Sequence, residues 1–192
     1  TVKRGGDVAA FAAEHKLKIV SVADLIAWRQ RSEKLVERVA EFPVSTHAGP
    51  AHAYAYRTPF DATQHVALVF GDVGDGYRIP VRLHREAVID DVFGEQTGLD
   101  RIIKRLAAGG TGIVVYLREG AVGVAETSGR PRDALHQPDS AAARESEWRE
   151  VGLGAQILKD LGVKSIRLIA SRERRYVGLD GFGIEIEATE PS

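Results

Sequence analysis

Hydrophobic residues at helical spacing dominate the start of the chain. Residues 7–16 (DVAAFAAEHK) and residues 23–31 (ADLIAWRQR) each place apolar side chains on one helical face. Between them, LKIVSV at residues 17–22 predicts a short strand. A helix–strand–helix unit must bury one face against another element, and the sequence before it offers no sheet. We therefore predict that residues 1–33 are the tail of an upstream domain.

From residue 34 onward the hydrophobic pattern becomes typical of strands. Alternating and β-branched residues predict a mostly antiparallel sheet built from KLVERVAEFPVST, AHAYAYR, HVALVFG and RIPVRLH. Residues 98–110 (GLDRIIKRLAAGG) are amphipathic and end in a glycine pair, which predicts a helix. The continuous apolar run GIVVYL that follows predicts a buried strand.

The remaining segments predict an alternation of helices and strands. The pattern favours a helix over residues 147–162, the strand IRLIA, a short helix or turn over residues 174–183, and the strand IEIEA. Residues 118–144 lack periodicity and are rich in Gly, Pro, Ser, Asp and Arg, which predicts a long loop that is functional or disordered. We therefore expect an α/β fold with a mixed sheet, in which an antiparallel β-rich half leads into a helix-flanked half.

Composition narrows the function classes. The chain has 26 Lys and Arg against 27 Asp and Glu, so its net charge of −1 disfavours nucleic acid and anionic membranes as partners. No apolar run approaches the roughly 20 residues that cross a bilayer, and no leader is visible, so we expect a cytoplasmic protein. Cysteine is absent, which excludes disulfides and thiolate zinc sites.

The order of the segments from about residue 34 to 190 carries a family resemblance. The collinear blocks are ERVAEFPVST, AYAYR, HVALVFGDV, VRLHRE, DDVFG, GTGIVVYLRE, GLGAQILKDLGV, IRLIA and LDGFGIEIE. Together they resemble the GTP cyclohydrolase II domain of riboflavin biosynthesis. Residues 1–33 are similar to the end of a 3,4-dihydroxy-2-butanone 4-phosphate synthase domain. The resemblance implies that residues 34–192 form the cyclohydrolase-like domain, that a synthase domain is its upstream partner, and that the protein is a homodimer.

The resemblance also implies a zinc ion that three cysteines hold and that activates a water to open the guanine ring. The first cysteine position falls on Ala87, and the segment that bears the other two is missing after DDVFG. We therefore expect no zinc cofactor and no ring-opening activity. A hard-cation site stays open as an alternative, formed by neighbouring polar residues: His84, Glu86, Asp90 and Asp91.

Other parts of the implied nucleotide site have changed as well. The loop that carries an arginine in the family is shorter and reads Glu119 to Gly123, without that arginine. The catalytic tyrosine has no counterpart, because no tyrosine lies between Tyr116 and Tyr176. Ala170 stands where the family has a threonine. These losses favour weak binding of GTP or a related phosphate over tight binding.

Six residues match the implied site. By the resemblance, Arg149 corresponds to the nucleophile toward the α-phosphate and Glu147 to the residue that orients it, both as vestiges. The implied nucleotide contacts are Arg82, His84, Glu86 and Arg175. Simpler interpretations stay open: a surface ion pair for Arg149, a backbone hydrogen bond for His84, and a solvated face for Arg175 and its neighbours.

Three functions follow from these observations. The leading hypothesis is a GTP cyclohydrolase II-like domain that has lost zinc and ring opening and persists as a nucleotide-binding, regulatory or assembly module. The alternative is an active enzyme that converts GTP to a diaminopyrimidine, formate and pyrophosphate, or that only releases pyrophosphate through Arg149. A ligand-free dimerisation domain is the second alternative.

Overall fold

The computed structural model describes most of the chain in segments. These are residues 6–20, 28, 33–59, 61–94, 98–118, 141–170, 179 and 182–192. The chain divides into two compact units, Thr1–Glu33 and Lys34–Ser192, which are called unit 1 and unit 2 below. No helix among the described residues is long and apolar enough to span a membrane.

Unit 1 contains the first predicted helix. Helix α1 covers Gly6–Glu14, and its Val8 and Phe11 side chains are exposed. The predicted strand is wrong over residues 17–20, which have no regular structure and leave Leu17 and Ile19 in solvent. A strand needs hydrogen-bonded neighbours, and the described part of unit 1 supplies none. Apart from helical Trp28, the predicted second helix lies outside the described residues.

Unit 2 is built on one mixed sheet. Its elements in chain order are β1 Glu37–Thr46, β2 Gly49–Thr58, β3 Asp61–Phe70, β4 Ile79–Arg85, a π-helical turn Ile89–Phe93, α2 Gly98–Ala108, β5 Gly112–Leu117, α3 Ala141–Asp160, β6 Ser165–Ala170 and β7 Glu185–Pro191. Among the described residues, seven strands lie in the order β1-β2-β3-β5-β4-β6-β7.

The pairing divides this sheet into two halves. Strands β1, β2, β3 and β5 pair antiparallel in that order, whereas β5, β4, β6 and β7 pair parallel. The predicted α/β class with its mixed sheet is therefore confirmed. The fourth predicted strand is not part of an antiparallel meander. In the sheet, β4 is separated from β3 by β5, and it pairs parallel with β5 on one side and β6 on the other.

Two helices cover opposite faces of the sheet. The α3 face buries Val151, Ala155 and Leu158 against Val81 and Val115. On the other face, α2 contributes Ile102, Ile103 and Leu106 to a second cluster with Phe70 and Val114. Since successive strand residues alternate between the faces, the even-numbered residues of β4 lie on the α2 side.

Helix α3 begins earlier than the sequence pattern predicts. It starts at Ala141, whereas the amphipathic pattern predicts residue 147. The run AAARE consists of good helix formers, so the helix extends toward its N-terminus although that part lacks an apolar stripe. The predicted loop therefore does not include residues 141–144, and its residues 119–140 lie outside the described part of the chain.

Candidate functional site

Three predicted nucleotide contacts come together at the carboxyl end of β4. Arg82 and His84 lie within the strand and Glu86 follows its last residue. A spacing of two residues places all three on one face. In α/β folds the carboxyl edge of parallel strands is where ligands usually bind. The structure thus places these three predicted contacts within or directly after one strand, β4.

The His84 imidazole is buried and contacts a carboxylate from the turn after β4. Its Nε2 atom lies 3.0 Å from both carboxylate oxygens of Asp91. The side chains of His84 and Asp91 are only 8% and 5% exposed. His84 also pairs across the sheet with Tyr116 of β5, and the two rings stack with centroids 5.3 Å apart. The described contact of the His84 imidazole is therefore with a carboxylate.

Asp91 joins further groups at this edge. Its Oδ2 atom accepts hydrogen bonds from the Tyr116 hydroxyl and from the Ala87 backbone amide, both at 2.8 Å. Burial raises the pKa of Tyr116, and the hydrogen bond to Asp91 raises it further, so the phenol stays protonated and donates. We call the four residues His84, Ala87, Asp91 and Tyr116 the Asp91 cluster.

The other two predicted contacts also bind groups of the protein itself. Glu86 accepts a hydrogen bond from Arg118 Nε at 3.1 Å, and its backbone amide donates to Leu117 O at 2.8 Å. Arg82 Nη1 donates to the carbonyl of Ile169 in β6 at 3.1 Å. A nucleotide bound here would therefore have to replace or share these contacts.

The remaining predicted residues do not belong to β4. Glu147 and Arg149 belong to the first half of α3, whose Gly154 packs closely against Leu83 near the end of β4. Because a helix rises about 1.5 Å per residue, their backbone lies roughly 8 to 10 Å beyond that contact along α3. Arg175 lies outside the described residues.

Sequence reasoning missed the partnership of Asp91 and Tyr116 with His84. Asp91 entered only as one of several carboxylates for a cation, and Tyr116 only as part of a buried strand. Their partnership depends on the parallel register of β4 and β5, which pairs His84 with Tyr116 across 32 positions of sequence. No local pattern in the sequence encodes that register.

A second polar cluster lies in unit 2 around Asp160, the last residue of α3. Asp160 accepts hydrogen bonds from Lys34 at 2.9 Å, from Arg38 at 2.8 Å and from the buried Tyr56 hydroxyl at 3.0 Å. We call Lys34, Arg38, Tyr56 and Asp160 the Asp160 cluster. An open cleft of about 470 Å³ borders it, lined also by His52 and Tyr54. Arg38 lies over the Tyr54 ring and Asp160 is held on several sides, so these side chains are already paired.

A comparison with known families assigns the chain to a class. Residues 37–191 match the GTP cyclohydrolase II family, so the chain belongs to that family. The resemblance seen in the sequence is thereby confirmed.

Individual relatives are riboflavin biosynthesis proteins. The chain is 41% identical to the riboflavin biosynthesis protein RibBA of Mycobacteroides abscessus, over 94% of this chain and 47% of the relative. It is 38% identical to the monofunctional riboflavin biosynthesis protein RIBA 2 of Arabidopsis thaliana, over 94% of this chain and 39% of that protein. The chain thus spans less than half the length of these two relatives.

A solved structure matches the whole chain. It is RibBX of A. baumannii, described as a two-domain 3,4-dihydroxy-2-butanone 4-phosphate synthase. The match has a TM-score of 0.68 and 28% identity, and it covers 100% of this chain and 51% of that protein. This chain is therefore similar in fold and sequence to about half of a two-domain synthase.

Proposed function

We propose that residues 34–192 are a GTP cyclohydrolase II-type domain that does not open the guanine ring and serves riboflavin biosynthesis as an assembly or regulatory module. Residues 1–33 are the end of a synthase domain. Weak binding of GTP or a related phosphate at the edge of β4 is part of the proposal, as is a homodimer in the cytoplasm.

The proposal depends mainly on which possible zinc ligands lie at the carboxyl end of β4. Catalytic zinc takes about three protein ligands and keeps one open position. The chain contains no cysteine, and Ala87 offers a methyl group where the resemblance implies a thiolate. His84 is bonded to Asp91 and Glu86 to Arg118. These residues do not fit the family's zinc.

The same contacts argue against a hard-cation site. The Asp91 carboxylate faces an O–H, an N–H and an imidazole, and Glu86 faces a guanidinium. Carboxylates that bind a cation need their lone pairs free for it. Among the described residues, no three His, Asp or Glu side chains are grouped in a way that could hold a metal ion.

Two observations support a partnership with a synthase domain. The solved relative is named as a synthase although it has two domains, and this chain matches about half of it. Unit 1 exposes Leu17, Ile19 and Val20 together with Val8 and Phe11 of α1. An apolar surface of this kind is typical of a segment that packs against another domain.

One finding favours the alternative of retained activity. The RIBA 1 protein of Arabidopsis thaliana, which is 39% identical over 94% of this chain, is named as bifunctional. The alternative requires this chain to activate water with residues other than thiolates.

Product analysis separates these functions. The chain is incubated with GTP and either Zn²⁺ or Mg²⁺, and formate and pyrophosphate are measured separately. The proposal predicts neither product above a protein-free control. Formate above that control contradicts it and establishes ring opening.

Pyrophosphate without formate would also contradict the proposal, in favour of residual transfer through Arg149. Arg149→Ala should then abolish its release, whereas Arg144→Ala on the same helix should not.

Calorimetric titration with GTP tests the binding part of the proposal. Weak binding that Arg175→Ala reduces about tenfold supports the binding module, since about 1.4 kcal/mol is a factor of ten. No binding at millimolar GTP contradicts nucleotide binding and favours the ligand-free scaffold.

A further inference from the structure

The cleft beside the Asp160 cluster lies at the amino end of β4, opposite to His84. It has a volume of about 470 Å³, and its lining includes residues 71–74, which follow β3 and precede β4, and Leu161 directly after α3. Strand β4 then runs for seven residues before Glu86, so about 20 Å of strand separates the cleft from that predicted contact. The cleft is therefore separate from the carboxyl end of β4, and its size suits a small-molecule ligand.

Flat side chains form one wall of this cleft. The ring centroids of His52 and Tyr54 lie 5.0 Å apart, and the Arg38 guanidinium lies over the Tyr54 ring at 4.8 Å from its centroid. Asp160 holds Arg38 in this position, because it accepts hydrogen bonds from Nε at 3.0 Å and from Nη2 at 2.8 Å. Aromatic rings and a guanidinium plane are surfaces on which a planar heterocycle stacks.

A second wall is the turn between β3 and β4, which backbone contacts hold in place. A Cβ atom on Gly71 would overlap the carbonyl oxygen of Gly110, so the turn packs directly on the chain between α2 and β5. At the other end of the turn, the Gly76 carbonyl accepts hydrogen bonds from the amides of Lys164 at 2.7 Å and Ser165 at 3.1 Å. The turn thus keeps its shape without a ligand, which lowers the entropic cost of binding one.

Three groups on these walls are available to a ligand. Among the described residues, the Tyr54 hydroxyl and the His52 imidazole have no hydrogen-bond partner. The Asp72 carboxylate accepts one hydrogen bond, from the Gly74 amide to Oδ1 at 2.9 Å. Because a carboxylate has about four acceptor sites, Asp72 can accept two further N–H groups. The cleft therefore offers ring surfaces beside an acceptor for N–H donors.

The charges around the cleft disfavour a phosphate. Asp72 and Asp160 contribute two carboxylates to its lining. Arg38, a cation on the same lining, is already bonded to Asp160 and Glu41, and Lys34 is bonded to Asp160. An anion would meet two negative charges here and find these cations occupied, whereas a neutral ligand avoids that repulsion.

We propose that this cleft binds a neutral, planar heterocycle whose edge carries two adjacent N–H donors, such as the base of guanosine. The heterocycle stacks on the wall of rings and donates both N–H groups to Asp72, in the paired geometry that carboxylates also accept from guanidinium groups. Ligands of α/β folds usually bind at the carboxyl ends of the strands, so a ligand at the opposite end acts as an effector and not as a substrate. The inference holds whether or not GTP binds near His84.

NMR spectra of the full chain, resolved by residue, test this site with guanosine as the probe. We expect shifts at His52, Tyr54 and Gly74, with a dissociation constant of about 0.1 mM. Inosine lacks the exocyclic amino group of guanosine and should bind about tenfold more weakly. GTP should also bind this cleft more weakly than guanosine, because its phosphates meet the two carboxylates.

Asp72→Asn separates recognition from folding. The amide keeps an oxygen for the Gly74 N–H but turns an N–H₂ group toward the heterocycle, so we expect guanosine to bind at least about tenfold more weakly. Asp75→Asn is the matched control, because Asp75 lies on the same turn and accepts a hydrogen bond from the Tyr77 amide at 3.2 Å. This control should bind guanosine as the parent does.

Four results would contradict the proposal. Guanosine could cause no shifts in the cleft at about millimolar concentration, Asp72→Asn could bind it as tightly as the parent, or GTP could bind the cleft more tightly than guanosine. Shifts confined to Arg82 and His84 would instead mean that guanosine binds at the carboxyl end of β4.

His52→Ala keeps the proposal testable if Asp72→Asn does not fold. It removes one ring of the stacking wall, and we expect about threefold weaker binding of guanosine. An unchanged affinity would contradict the proposal. Failure of the proposed function appears separately, as formate in the product assay.

Discussion

The Asp91 and Asp160 clusters each satisfy a largely buried aspartate carboxylate, but with different hydrogen-bond donors. Each holds an aspartate whose carboxylate accepts a hydrogen bond from a tyrosine, Tyr116 in one and Tyr56 in the other. Around Asp160 the other donors are the cations Lys34 and Arg38. Around Asp91 they are an imidazole and a backbone amide. The Asp160 cluster therefore pairs opposite charges, whereas the Asp91 cluster satisfies its carboxylate through hydrogen bonds.

This difference has electrostatic consequences. Burial alone would raise the pKa of Asp160, but hydrogen bonds from Lys34, Arg38 and Tyr56 outweigh it and lower the pKa. The pKa of Arg38 is raised although burial opposes this, because Arg38 bonds to Asp160. Ion pairs near the surface of a protein usually add little to its stability and do not by themselves indicate a function. The Asp91 cluster lies instead at the carboxyl end of β4, around the imidazole of His84.

The largest effect is expected from Asp91→Ala. It leaves the Tyr116 hydroxyl, the Ala87 amide and the His84 imidazole without this acceptor in a largely buried place. We expect a loss of about 3 kcal/mol in the free energy of unfolding, measured by urea titration. A loss as small as that of Asp90→Ala would mean that the Asp91 cluster contributes nothing to stability.

A smaller effect is expected from Asp160→Ala. The Asp160 side chain is 16% exposed and its cations reach solvent, so water can replace part of what they lose. We expect a loss of about 2 kcal/mol, measured in the same titration. Asp72→Ala, at the border of the same cleft, is the control. If Asp160→Ala costs more than Asp91→Ala, the ranking of the two clusters is wrong.

The contribution of Asp160 to the free energy of unfolding should also depend on pH. Because its folded pKa is lowered, Asp160 stabilises the fold fully above its unfolded pKa of about 4, and this stability is lost as the pH falls through the folded pKa. The difference in unfolding free energy between the parent and Asp160→Asn should therefore be constant near neutral pH and shrink below about pH 4. A difference that grows on acidification would contradict the lowered pKa.

The smallest effect is expected from Lys34→Ala. Lys34 is 68% exposed, so its ion pair with Asp160 should contribute only about 0.5 kcal/mol. That contribution should fall when thermal unfolding is repeated in 1 M salt. Insensitivity to salt, with the same loss at both concentrations, would show that Lys34 acts through packing of its aliphatic chain.

Local hydrophobic patterns in the sequence predict part of the fold, but not the order of the strands. The strands of unit 2 and α2 follow from apolar periodicity. The insertion of β4 between β5 and β6 did not follow, because strand order depends on long-range packing. For the same reason the contact of His84 with Tyr116 could not be predicted from the sequence. In unit 1, LKIVSV has a strand pattern, but its first four residues have no neighbouring strand among the described residues.

Metal content tests the central claim most directly. The chain is purified without chelator, dialysed against buffer that contains micromolar zinc, freed of unbound ion by gel filtration, and analysed for zinc by mass spectrometry. We expect far less than one zinc per chain, and equal values for the parent and for His84→Ala. About one tightly held zinc per chain, lost in His84→Ala, would contradict the claim that this edge no longer holds the family's metal.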